Sequence, residues 1–206
     1  MALTGIFLIL FLILHVSLNA CIWANDNGKM FNEGAHFMGG SVVPRILEIG
    51  LVAGFLIHII QGYMLTLQNR SKRKKGYAVP MGNKGSRWYS RSMGLLGTII
   101  LIFLISHVLH FWIPNRNNQG WLLGEEINLY ERMHDVFQNV WVVVLYIVGC
   151  ISLGWHLLHG FQSAFRTIGV NNKKYLTLLN NLGIGFSIIV PLAFAMMPVS
   201  FYLGWL

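Results

Sequence analysis

The stretch SMGLLGTIILIFLISHVLHFWI, residues 92–113, decides the fold. At ~1.5 Å of rise per helical residue it is long enough to cross the hydrocarbon of a bilayer, for which about 20 apolar residues suffice. It contains no Asp, Glu, Lys or Arg, yet its last turns carry His107 and His110. An imidazole is costly in hydrocarbon unless the protein's interior uses it. Two questions follow: how many such segments the chain holds, and what their histidines do.

Four further apolar runs lie at about 2–22, 43–67, 137–165 and 176–205. The chain is 55% hydrophobic and 11% charged, where a soluble domain carries roughly a quarter charged residues. The expectation is an all-α integral membrane bundle of five transmembrane helices, one domain over 1–206. It leaves no room for a soluble catalytic domain, so water-side chemistry belongs to a partner. The first run reads as a span rather than a secretory signal. LNAC at 18–21 resembles a lipoprotein cleavage site, but no Lys or Arg precedes the run and His15 interrupts its apolar core. Cys21 and Cys150 have no second cysteine near them, which excludes a CxxC metal site and a CxxCH haem attachment.

The net charge of +8 suggests nucleic acid until its distribution is seen. Arg70, Lys72, Arg73, Lys74, Lys75, Lys84, Arg87 and Arg91 lie between runs two and three, and Arg166, Lys173 and Lys174 between runs four and five. Only Lys29, Arg45, Arg116 and Arg132 fall on the other side. The positive-inside rule then puts both basic loops and the N-terminus in the cytoplasm and the C-terminus outside, with residues 23–42 and 114–136 as outward loops. The second outward loop holds Glu125, Glu126, Glu131 and Asp135, and Trp23, Trp112, Trp121 and Trp205 stand where an interfacial belt belongs. The charge is a topology signal and a docking surface for a cytoplasmic partner, not a nucleic-acid site.

Orientation gives each histidine a depth. His15 lies eight residues before Trp23 and His107 seven before Pro114, both in the outer half. His58 lies twelve before Arg70 and His156 ten before Arg166, both in the inner half. A single buried histidine is most often a hydrogen-bonded structural residue. Four on four helices, matched in depth by twos, fit the way a bundle grips the iron of a flat macrocycle, and b-type haem needs no cysteine. The expectation is two stacked haems b, an outer one held by His15 and His107 and an inner one by His58 and His156. From the residue offsets the two lie about 12 to 15 Å apart along the membrane normal, an electron path with no open coordination position for oxygen chemistry.

His110 and His159 stand three residues from His107 and His156 on nearly the same faces. Glycine spacing helps to choose. His58 and His156 each have a glycine four residues on, Gly62 and Gly160, and His15 and His107 each have one ten residues before, Gly5 and Gly97. His110 and His159 lack these matches and read either as groups bonding haem propionates, water or quinone or as plain structural residues.

These residues carry a resemblance. TGIFLILFLILH (4–15), FNEGAHFM (31–38) with RILEI (45–49), HIIQG (58–62), GTIILIFLISH (97–107) and HLLHGFQSAF (156–165) with IGV (168–170) together resemble the five-helix, dihaem cytochrome b anchor subunit of bacterial succinate dehydrogenases and fumarate reductases. The likeness covers residues 3 to about 190. It implies axial ligands at His15, His58, His107 and His156, a flavoprotein partner with the dicarboxylate site, an iron-sulfur partner on the cytoplasmic face of the bacterial inner membrane, and electron exchange with membrane menaquinone. There are departures. Relatives carry a short amphipathic segment before the first span, whereas Met1 here stands almost at the membrane. Some fumarate reductases place a glutamate beside the inner-haem histidine of helix four, where Trp155 and Leu157 stand here.

Quinone chemistry has its own candidates. Glu33 and His36, three apart, can share one side of a short helix near the outer haem and accept protons from a quinol; the alternative is a solvated interfacial helix. A haem-b anchor of a formate dehydrogenase or hydrogenase is the rival function, but it would present its enzyme on the outer face, against the basic loops. A proton-relay transporter predicts helices broken at its site, whereas Pro191 and Pro198 lie in the fifth run, away from the histidines.

Overall fold

The computed structural model of the chain describes residues 1–72, 88–119 and 127–206. Arg73, Lys74, Lys75, Lys84, Arg87, Trp121, Glu125 and Glu126, which enter the charge and belt expectations, lie outside these residues. Among the described residues every regular element is helical. The order is α1 (Ala2–Ala20), prolonged by a 3-10 turn (Cys21–Trp23), α2 (Lys29–Gly40), α3 (Val42–Lys72) and α4 (Trp88–Arg91). There follow α5 (Met93–His107), which runs through a π-helical turn (Val108–Trp112) into α6 (Ile113–Gln119), then α7 (Leu129–Phe137), α8 (Val140–Thr167) and α9 (Lys173–Tyr202).

Five helices are long and apolar enough to cross a membrane: Ala2–Trp23, Val42–Lys72, Met93–Asn117, Val140–Thr167 and Lys173–Tyr202. Their ends differ from the apolar runs for local reasons. The fourth begins at Val140, not 137, because the Asn139 side chain accepts from Trp141 N at 3.0 Å and starts a new helix. The fifth begins at Lys173, where Asn172 caps in the same way through Lys174 N. The segment 114–136, read as a loop, is largely helical where it is described. Asn128 accepts from Glu131 N at 3.1 Å and nucleates α7.

Packing sets up the interior. α1 packs on α3, α3 on α5, α5 on α8 and α8 on α1, closing a ring of four; α9 lies outside it along α8, the most extensive pairing in the chain, and against α1. The diagonal pairs α1–α5 and α3–α8 have no comparable contact. Burial follows the same division. α8 and α9 bury eight residues each, whereas α1 buries only Ile9, α3 only Pro44 and Gly54, and α5 only Leu96. The dense core therefore lies along α8 and α9 and at the end capped by α2, the π turn and α7, where Ile22, Phe31, Met133, Phe137, Tyr146 and Phe201 cluster. The opposite, basic end carries Arg70, Lys72, Arg166, Lys173 and Lys174.

The cap depends on one tight approach. Gly28, at φ +76°, precedes α2, and a Cβ built there would stand 2.2 Å from Tyr130 Cγ. Gly28→Ala combines a left-handed backbone with a clash and is expected to cost about 1–3 kcal/mol. A lowered thermal midpoint of the solubilised chain checks this.

Candidate cofactor site: two histidine pairs across the ring

Each helix of the ring contributes one histidine, and the rings meet across the diagonals. His15 of α1 and His107 of α5 have centroids 5.8 Å apart with planes at 87°. His58 of α3 and His156 of α8 have centroids 6.2 Å apart with planes at 64°. All four are half-buried. The helices that carry each pair make no extensive contact with one another, and the imidazoles meet across the diagonals between them.

The levels can be counted along the helices. A Cβ on Gly5 of α1 would lie 3.9 Å from His58 Cε1, and one on Gly97 of α5 would lie 4.0 Å from His156 Cε1. Gly5 thus lies beside His58 and beside Ala164 of α8, at 4.0 Å, and Gly97 lies beside His156. His15 and His107 stand ten residues beyond Gly5 and Gly97, about 15 Å toward the cap. Moving ten residues in the same direction along the other two helices leads from His58 to Glu48 and from His156 to Tyr146. On the cap side His107 meets both His15 and Tyr146, with ring centroids 5.8 and 6.2 Å away, and Glu48 meets Trp112 and Arg116 further along the same column. Between the levels, Phe7 fills the groove at Gly54 and Phe103 that at Gly149.

This corrects one reading of the glycines. Their spacing to His15 and His107 marked Gly5 and Gly97 as companions of the cap-side pair, but they make room beside the other pair. A missing side chain opens space next to a residue on the neighbouring helix, not next to one ten positions along its own. Gly160 has nothing within 4 Å of a built Cβ and Gly62 only Met1 Cε at 3.8 Å, as expected of glycines facing space.

Two imidazoles that face each other through one metal ion, each nitrogen about 2 Å from it and each ring centre roughly 1 Å further back, have centres about 6 Å apart. Both pairs meet that separation. Among the second nitrogens, that of His58 has the partner a ligating imidazole uses. The Thr4 hydroxyl donates to Met1 O at 3.0 Å, so its oxygen is left to accept from His58 Nδ1 at 3.2 Å, which keeps the proton on Nδ1 and the Nε2 lone pair available. His15 Nδ1 lies 3.4 Å from Asn19 Nδ2, a donor that already serves the His15 carbonyl at 2.8 Å, so this contact does not hold a proton on Nδ1. His107 Nδ1 and His156 Nδ1 are buried with no hydrogen-bond partner. Among the described residues no three His, Cys, Asp or Glu side chains converge, so each donor set is two imidazoles.

His110 and His159 are set apart. The π turn widens the helix directly after His107, and His110 stacks on Tyr146, its Nδ1 3.0 Å from the Tyr146 hydroxyl. His159 lies 6.5 Å from the Tyr89 ring, which stacks on Trp155 at the basic end. Glu33 and His36 do share one side of α2. They line a cleft of about 430 Å³ with Asn32, Asn115 and Asn128, at the cap end. Both side chains are exposed, and Glu33 lies 4.0 Å from Lys29. Asn115 of this cleft is eight residues beyond His107, about 12 Å along the helix.

Fold and geometry together define a helical bundle with five membrane-length helices and two histidine pairs in its interior. No protein-family model, curated protein or solved structure matches this chain.

Proposed function

We propose that this chain is a dihaem membrane cytochrome b, the anchor subunit of a succinate:quinone oxidoreductase or quinol:fumarate reductase. The observation that carries the reading is the meeting of His15 with His107 and of His58 with His156 across the diagonals, at the separation one shared iron requires. Two imidazoles alone leave a bare ion short of ligands, whereas a macrocycle supplies four in its plane. When bound, haem provides one-electron transfer at its iron. The chain's residues hold it. His15 with His107 and His58 with His156 would hold the two haems, Thr4 fixes the tautomer of His58, and Gly5 and Gly97 leave width beside the basic-side pair.

The remaining parts follow from the resemblance and the charge. The basic end faces the cytoplasm and docks an iron-sulfur subunit, which receives electrons from a flavoprotein where the dicarboxylate reacts. The cap end faces outward, and its cleft takes the head of a quinone, menaquinone by resemblance, with Glu33 and His36 exchanging protons. Glu33→Gln is expected to slow quinone turnover while both haems and succinate oxidation by an artificial acceptor persist; unchanged quinone kinetics would remove Glu33 from the site.

Affinity isolation through a tag on this chain tests the assignment. Co-isolated flavoprotein and iron-sulfur subunits, with haem b reduced on adding succinate, are the expected result. Reduction by formate or hydrogen but not by succinate would place the chain in a different respiratory dehydrogenase.

A further inference from the structure

α3 contributes no imidazole to the cap-side pair, yet it places a carboxylate toward the cap end of the ring. Glu48 stands ten residues before His58, about 15 Å toward the cap. A charge at this depth of a membrane-length helix calls for a partner and a use. The partners are clear. Glu48 Oε1 accepts from the Trp112 indole N–H and from Arg116 Nε at 3.1 Å, and Oε2 accepts from Arg116 Nη2 and lies 3.5 Å from Arg45 Nη1. The side chains of Arg45, Glu48 and Arg116 are 16%, 21% and 18% exposed, so the cluster is mostly withdrawn from its surroundings.

Trp112 closes the π turn that begins directly after His107, and Arg116 lies in the next helix. From the other side of the ring, Arg132 Nε donates to the His110 carbonyl at 3.0 Å and the Tyr146 hydroxyl meets His110 Nδ1. A π turn is rare and is found mostly as a single turn inserted at functional sites; this one is pinned on both flanks. α3 itself buries only Pro44 and Gly54, so its grip on the α5–α6 column at this level rests on Glu48. A two-pronged guanidinium–carboxylate pair fixes direction as well as distance.

We infer that Glu48 is a positioning residue for the cap-side site. By holding Trp112 and Arg116 it fixes the turn after His107, and with it the attitude of the His107 ring toward His15. The lone pairs are taken up by donors, which suits the carboxylate to clamping rather than to proton exchange. The inference rests on the dihaem reading.

The test uses the full haem-loaded chain, wild type and with Glu48→Gln or Trp112→Phe. The cap-side haem is the one whose signal disappears in His107→Ala. Its low-spin EPR signal, which reports the mutual orientation of the axial rings, is expected to shift in both variants. Its midpoint potential is expected to rise in Glu48→Gln, where a negative charge is lost, while the signal and midpoint of the other haem stay in place. Trp112→Phe removes one donor and keeps the bulk, so it decides the matter if Glu48→Gln does not assemble. An unmoved cap-side signal in the assembled variants, or equal shifts at both haems, overturns the inference and leaves the dihaem reading intact. A wild-type chain that binds no haem overturns both.

Discussion

His156→Ala is expected to lower the haem content from two per chain to one, and His159→Ala to leave it at two. The histidines are three residues apart, so the contrast is sharp. His156 faces His58 at 6.2 Å, carries a buried Nδ1 without a partner, and stands beside the gap at Gly97. His159 points toward the Tyr89–Trp155 stack. Removing one of two axial ligands leaves the iron held on one side only, whereas altering a neighbour outside the coordination sphere tunes a site without emptying it. Pyridine haemochrome assay of the purified variants reads the result directly. Loss of haem in His159→Ala with retention in His156→Ala would reverse the assignment.

The second large effect concerns the route. His107→Ala is expected to remove the cap-side haem and bring succinate:quinone turnover close to background, while succinate oxidation by an artificial acceptor at the partner subunits continues. A quinone reacting at the basic end would need neither haem, so retention of turnover would move the quinone site there. In the wild type no carboxylate adjoins His156, whose neighbours are Trp155 and Leu157. On the proposed route, electrons crossing toward the cap would move charge without a proton beside them. Succinate oxidation by a low-potential quinone should draw on the membrane potential and slow when an uncoupler is added; indifference to the uncoupler would contradict this route.

Much of this arrangement could be read from residue order alone, because a membrane-length helix converts sequence distance into depth. Counting from Trp23, Pro114, Arg70 and Arg166 grouped His15 with His107 and His58 with His156, and the ring contacts show the same grouping. The bounds of the five apolar helices were legible to within a few residues, and the short helix carrying Glu33 and His36 is present as α2.

What counting could not supply is direction around a helix axis. Gly5 and Gly97 were at the right distances from the wrong histidines, since the space they open lies across an interface. The π turn leaves no mark in the apolar pattern, so nothing in the residue order shows that His107 alone meets His15 while both His107 and His110 meet Tyr146. Glu48 and Tyr146 drew no notice as site residues because Arg45 stands near the first, and Ser152 and Ser163 share the apolar run of the second. Their ten-residue offset from His58 and His156, matching that of Gly5 from His15, was the signal available. α7 was hidden by the polarity of 114–136, although Asn128 three residues before Glu131 is a helix-start pattern.

The most direct test of the account is the haem content of the purified wild-type chain. Two haems b per chain, low-spin and six-coordinate in a reduced-minus-oxidised spectrum and a pyridine haemochrome assay, are the predicted result. One haem would contradict the pairing of all four histidines, and none would contradict the account as a whole.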